Sequence, residues 1–168
     1  DLHFMQYQAL SEGSVRQLKS RLPILEDRFR KSRADRASIL AYLVLPLSNN
    51  KELRLEKNFI HKILSSYLNS FERDLIWSGD EYHGNDDDGV PSPSETLQQI
   101  YHLETWHTHE ERPLLFAWGL SCLDNNARKH FRRELAKWGT LNVGEFIKLL
   151  DLVFFCKDPQ IQEDLATI

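Results

Sequence analysis

Cysteine is scarce in this chain, and the usual marks of a secreted protein are missing. The sequence has two cysteines, Cys122 and Cys156, and both lie among apolar residues of predicted helices. Small secreted domains usually carry a larger set of cysteines that form a disulfide framework. No Asn-x-Ser/Thr glycosylation site is present either. The sequence therefore favours a reducing compartment, and we expect the protein in the cytoplasm.

Long hydrophobic runs are also missing. The longest covers residues 39–47 and includes Pro46, whereas a helix that spans a bilayer needs about 20 apolar residues. The formal net charge of −4 opposes attraction of the whole chain to anionic lipid or nucleic acid. The sequence therefore predicts no membrane partner.

The common enzyme motifs are missing as well. The seven glycines are scattered, and Gly84 and Gly89 lie in an acidic stretch that would repel a phosphate. Ser121 and Cys122 do not follow the strand and turn that would expose a nucleophile. The sequence argues against an enzyme and predicts no cofactor and no catalytic residue.

Apolar residues at helical spacing dominate what is present. Hydrophobic residues make up 41% of the 168 positions, which is enough for one domain that buries roughly 70% of its unfolded surface. Residues 1–77 are predicted to form helices, including a long amphipathic helix near residues 53–77. Its apolar positions recur every three or four residues: Ile60, Ile63, Leu64, Tyr67, Leu68, Phe71 and Leu75. We predict an all-α fold.

Residues 78–92 interrupt the helical pattern. They combine glycine and proline with a run of acids, Asp86, Asp87 and Asp88, and this composition is typical of a flexible loop. A calcium site is the less favoured interpretation, because the loop lacks the alternating acids and the distant bidentate glutamate of such sites. We interpret the segment as a solvated acidic loop within a single domain, followed by helical hairpins over residues 93–168.

Several residues mark predicted helix ends. Pro23 is expected to limit the first helix. Ser92 and Glu95 have the spacing of a capping box. Gly139 is expected to end a helix in a left-handed conformation. Asp158, with a proline after it, has the pattern of a helix N-cap.

Two stretches of the C-terminal half match each other after a shift of 32 residues. Leu103, Trp106 and Thr108 then fall on Leu135, Trp138 and Thr140, and the apolar positions of the following helix continue the match. The pattern predicts stacked helical hairpins, either an α-solenoid of the HEAT-like kind or an irregular helical bundle. The chain opens without methionine and stops inside a predicted helix, so we expect a segment of a larger intracellular protein.

Three histidines, His102, His107 and His109, are the weak candidates for a metal site. Imidazoles at this separation can share a zinc ion where the backbone turns. Their spacing does not match the helical H-E-x-x-H pattern, and polar residues at a helix end explain them better. A metal-dependent enzyme around these histidines is one alternative function.

A basic surface is the strongest functional indication. Five residues of one predicted helix point away from its apolar side, with Glu134 as the only acid among them: Arg128, Lys129, Arg132, Arg133 and Lys137. We predict an interaction or scaffold domain that binds a protein partner, or a neighbouring domain of the same protein, through a groove or through this basic surface. The acidic loop is another possible contact, in which case the surface is an ordinary solvated face.

A helical nucleic-acid-binding module is the other alternative, because lysine and arginine contact phosphates. Against it, the tryptophans and phenylalanines fall on predicted inward-facing stripes. They would then be unable to stack on bases.

Overall fold

The structure, a computed structural model, is all-α, as the sequence predicts. It describes residues 14–49, 55, 58–78, 92–99, 103, 106 and 111–168. Within these ranges there are nine α-helices and no strand: α1 (Ser14–Lys31), α2 (Arg36–Asn49), α3 (Phe59–Ser66), α4 (Ser70–Ser78), α5 (Pro93–Gln98), α6 (Arg112–Gly119), α7 (Asn125–Leu141), α8 (Val143–Val153) and α9 (Pro159–Ala166). None of these helices is long and apolar enough to cross a bilayer.

Two helices are surrounded by others and form the centre of the molecule. Residues 39–44 of α2 are all buried, and α2 contacts α1, α4, α5 and α6. Residues 112–119, which make up α6, are also all buried, and α6 contacts α2, α3, α7, α8 and α9. Since a helix that is apolar on every side needs neighbours on every side, the remaining helices pack around these two.

Helix α1 does not end at Pro23, contrary to the prediction. It continues to Lys31 with Pro23 inside it. Proline in a helix interior costs about 3 kcal/mol, but each large apolar side chain that is buried contributes about 1.5–3 kcal/mol. Leu18 and Leu22 before the proline, and Leu25 and Phe29 after it, are all buried. Their packing stabilises one continuous helix, and the proline lies on its exposed side.

The prediction of one long helix near residues 53–77 is also wrong, because two helices, α3 and α4, lie there. The break falls at residues 67–69. Glu72 N donates to Asn69 Oδ1 at 2.9 Å, and Asn69 N donates to Glu72 Oε2 at 3.1 Å, so these two residues cap the start of α4. Arg73 Nη1 donates to the carbonyls of Leu64 and Leu68 at 3.1 and 2.9 Å. Side chains thus satisfy backbone groups that a continuous helix would pair internally.

Gly139 does not end α7 in a left-handed conformation, contrary to the prediction. The helix runs through it to Leu141, and Asn142 is the C-cap. A Cβ atom at Gly139 would lie 3.0 Å from Cγ of Phe146. The glycine therefore serves the close approach of α8 to α7, and the left-handed cap is not needed because Asn142 Nδ2 donates to the carbonyl of Trp138 at 3.0 Å.

Two predicted helix starts are confirmed. Ser92 and Glu95 form a complete capping box at α5. Asp158 caps α9, with its side chain accepting a hydrogen bond from the Ile161 amide. Both helices have proline in the first turn, where its missing N–H costs no hydrogen bond.

The cysteines lie just outside the helices on which the sequence places them. Cys122 follows α6 and Cys156 follows α8, and both are free thiols. Burial raises the pKa of each thiol above its ordinary value, which makes both of them poor nucleophiles at neutral pH.

The two matched stretches resemble each other in part. Trp106 and Trp138 are both buried. In the second helices, however, Leu115 is fully buried while its counterpart Ile147 is 53% exposed. The first helices differ too, since α5 has 6 residues and α7 has 17. Stacked repetition of the HEAT-like kind stays a prediction.

Candidate functional site

The basic face is the set of five cationic residues on α7: Arg128, Lys129, Arg132, Arg133 and Lys137. The opposite side of α7 is fixed in the core, where Phe131, Leu135 and Trp138 are fully buried. Trp138 Nε1 donates to the carbonyl of Trp106 at 2.7 Å. Because these contacts fix the rotation of α7 about its axis, the basic face points outward.

Asp164 of α9 holds one edge of the basic face. Arg128 Nε donates to Asp164 Oδ2 at 3.3 Å, and Arg132 Nη1 donates to Oδ1 at 3.2 Å. Gln160 Nε2 also donates to Oδ2, at 3.2 Å. The side chain of Asp164 is only 5% exposed. Arg128 and Arg132 therefore anchor α9 to α7 as well as contributing to the surface.

Glu134 lies under the other edge of the basic face. Its side chain is 1% exposed, and Oε1 accepts from Arg133 Nε at 3.4 Å and from Lys137 Nζ at 3.2 Å. Arg133 Nη2 also donates to His130 Nδ1 at 3.0 Å. The acid that the sequence places among the exposed bases is thus buried, and it orients two of them.

The surface of the basic face is cationic because its two acids are covered. Asp164 and Glu134 neutralise two of the five positive charges, which leaves a local charge of +3 on a chain whose formal net charge is −4. Lys129, Arg133 and Lys137 are exposed, and Arg128 and Arg132 are partly exposed. Solvent and any incoming partner meet the cations first.

A shallow, largely open cleft of about 410 Å³ lies between the basic face and the end of α9. Three cations, two small side chains and one isoleucine line it: Lys129, Arg132, Arg133, Ala136, Thr167 and Ile168. Thr167 Oγ1 donates to the carbonyl of Asp164 at 2.8 Å. Of the six lining side chains, three are cationic and none is acidic.

A second set of buried charges fixes the start of α9. Arg73 Nε donates to Asp158 Oδ2 at 3.0 Å, and the two side chains are 4% and 1% exposed. The Arg73 guanidinium also lies 5.3 Å from the ring centre of Trp118. Burial and the charge of Asp158 raise the pKa of Asp74 to about 6, against the opposing effect of Arg73 and Arg128. With both ends of α9 held, the wall of the cleft is fixed.

The weak metal-site candidates of the sequence, His102, His107 and His109, lie outside the described residues. In the part of the chain that the structure describes, no three His, Cys, Asp or Glu side chains come close enough to hold a metal ion. The acidic segment 79–91 also lies outside the described ranges.

Sequence reasoning missed Asp164, although a signal for it exists. Ile161 and Leu165 are buried at helical spacing, and Asp164 lies between them on the same side of α9. An acid on the buried side of an amphipathic helix requires a cationic partner. That signal predicts an arginine nearby, but it does not say which one.

The comparisons with other proteins add no assignment to this geometry. No known protein family, no curated protein and no solved structure matches the chain.

Proposed function

We propose that this chain is a helical protein-interaction domain, which binds an acidic segment of a protein partner, or of a neighbouring domain, through the basic face of α7. The observation that supports the proposal is that the acids at this surface are buried while the cations are exposed. Asp164 of α9 has 5% and Glu134 of α7 has 1% side-chain exposure, while Lys129, Arg133 and Lys137 lie in solvent.

This arrangement suits recognition of acidic side chains by a rigid surface. Arg132 and Arg133 are each held by a carboxylate from the protein itself, so less side-chain entropy is lost when a partner binds. Complementary charge mainly raises the association rate and selects among partners. The basic face is therefore expected to determine which partners bind and how fast they associate.

Nucleic acid is the second candidate, and the tryptophans argue against it, although Phe71 in α4 and Phe155 just after α8 are 64% and 77% exposed. Trp77, Trp106, Trp118 and Trp138 are all less than 2% exposed, so none of them offers a face on which a base can stack. The overall charge of −4 also repels a polyanion at long range. The experiment that tests the proposal therefore also tests for nucleic-acid binding.

The experiment is a capture assay in lysate with a variant that removes charge and keeps hydrogen bonding. Lys129→Gln, Arg133→Gln and Lys137→Gln are combined, and thermal unfolding of the variant checks that it is folded, because Arg133 and Lys137 are the cations that pair with the buried Glu134. Arg128 and Arg132 are left in place because they hold Asp164. The matched control combines Lys19→Gln, Lys148→Gln and Lys157→Gln, which removes the same charge from lysines exposed elsewhere.

The proposal predicts that the native chain and the control capture the same protein band, with and without nuclease, and that the α7 variant loses it. Equal capture by the α7 variant would contradict the proposal. Capture that disappears on nuclease treatment would favour the nucleic-acid alternative, because the bridge would then be a polyanion with salt-sensitive binding.

A further inference from the structure

We propose that the cleft between α7 and the end of α9 binds a phosphoryl monoester, the phosphate group of a phosphorylated serine or threonine. The inference rests on the proposed function, since the phosphate would be carried by the protein partner of the basic face. It names a ligand chemistry for one part of that face.

The three cations that line the cleft lie within one helical turn. Lys129, Arg132 and Arg133 are spaced i, i+3 and i+4 along α7, and side chains at this spacing are neighbours on a helix surface. Four residues of helix rise about 6 Å. The three cations therefore lie on one patch of the helix surface, near enough in sequence to contact a single anionic group.

Both arginines are held in position and still reach solvent. Arg132 uses Nη1 for Asp164 and remains 41% exposed. Arg133 uses Nε and Nη2 for Glu134 and His130 and remains 58% exposed. Since each guanidinium carries five N–H donors, donors remain on both for a ligand. In the described part of the chain, Lys129 makes no ion pair, so its ammonium group needs no release before it binds.

The charge favours a phosphate over a carboxylate. A phosphate monoester carries nearly two negative charges and three strong acceptor oxygens at neutral pH, and arginine forks match those oxygens well. Asp164 offsets only part of the charge that lines the cleft, because it is shared with Arg128. Ala136 and Thr167 are small and leave the volume of about 410 Å³ open.

The experiment is a titration of the 15N-labelled chain with phosphoserine whose amino and carboxyl groups are blocked, and separately with inorganic phosphate. Saturable shifts are expected at the backbone amides of residues 129–136 and 167. Lys129→Gln and Arg133→Gln should each weaken binding about fivefold, the upper range for one exposed charge contact. Lys137→Gln should weaken it less than twofold, because Lys137 belongs to the basic face but does not line the cleft.

Three results would overturn the inference. The first is an equal loss from Lys137→Gln and Lys129→Gln, which would indicate general attraction to a cationic surface. The second is binding of acetate as tight as that of phosphoserine, which would indicate a carboxylate site. The third is a short oligonucleotide that binds more tightly than phosphoserine at equal phosphate concentration.

The two proposals fail separately. If phosphoserine does not bind the cleft while the triple Gln variant still loses its captured partner, only the phosphate inference is wrong. If phosphoserine binds but capture does not depend on the basic face, the proposed function is wrong.

Discussion

Arg73 and Asp158, which are 85 residues apart in sequence, form a buried ion pair at 3.0 Å that joins α4 to the start of α9. Each side chain has a second role. Arg73 donates hydrogen bonds to the backbone carbonyls of Leu64, in α3, and Leu68, just after it. Asp158 caps α9. The pair therefore connects the N-terminal helices to the wall of the candidate site.

Breaking this pair should cost much more than an equivalent change at the surface. Asp158→Asn keeps an acceptor for the Ile161 amide and leaves the Arg73 charge buried, so we expect a loss of about 3 kcal/mol in the free energy of unfolding. Asp124→Asn is the control, because Asp124 caps α7 in the same way but is exposed; it should cost less than about 0.5 kcal/mol. Urea denaturation measures both, and equal effects would contradict the account.

Replacing Gly119 tests the close packing of α6 against α7. A Cβ atom there would lie 2.9 Å from Cδ2 of Phe131, which is fully buried. Gly119→Ala is expected to destabilise the fold by about 1–3 kcal/mol through overpacking.

Gly144 supplies the matched comparison for that substitution. A Cβ atom at Gly144 meets nothing within 4 Å, so Gly144→Ala should stabilise α8 by about 0.5–1 kcal/mol. Thermal unfolding of both variants measures the difference, and stabilisation by both would show that Phe131 does not restrict position 119.

Glu111 should make stability depend on pH near neutrality. Burial raises its pKa to about 7, from 4.5, although it accepts a hydrogen bond from the Asn58 backbone. The folded state then holds a proton that the unfolded state releases at lower pH. The stability that this group contributes is fully present below pH 4.5 and is lost as pH rises through 7.

Glu111→Gln should remove that dependence. The free energy of unfolding of the variant, relative to that of the unsubstituted chain, should rise by about 2 kcal/mol between pH 5 and pH 8. Urea midpoints of both proteins across this range provide the measurement. A difference between them that does not change with pH would contradict the shifted pKa.

The residues of the basic face should differ in what they contribute to stability. Arg128→Gln with Arg132→Gln leaves the nearly buried Asp164 without its cationic partners, and a loss of about 2 kcal/mol is expected. Lys129→Gln should cost less than about 0.5 kcal/mol, because Lys129 is exposed and pairs with no carboxylate in the described part of the chain. Chemical denaturation compares the two, and the account is wrong if Lys129→Gln costs as much as the pair.

The sequence predicts the fold class and the starts of α5 and α9 because these depend on local chemistry. Apolar spacing identifies the helices, and Ser92 with Glu95 and Asp158 cap the helices they were expected to cap. The break between α3 and α4 escapes this reasoning, because apolar residues keep their helical spacing across residues 67–69. Only the capping by Asn69 and the reach of Arg73 to the carbonyls of Leu64 and Leu68 reveal it.

The site could be predicted only in part for a related reason. Periodicity places all five cations on the outer side of α7, but it does not show which of them have partners inside the molecule. Asp164 lies 36 residues after Arg128, and the burial of Glu134 depends on how α7 packs. Both are properties of tertiary structure, and they decide which cations are available to a ligand.

The most direct test of the central claim is a map of the partner's footprint on the folded chain. The captured partner is added to the 15N-labelled chain, and the backbone amide shifts of the nine described helices are compared. The account predicts shifts concentrated in residues 128–137 and at the end of α9, and their loss in the Lys129→Gln, Arg133→Gln, Lys137→Gln variant. Shifts concentrated instead on α1 or on the exposed side of α8, and unchanged in that variant, would contradict it.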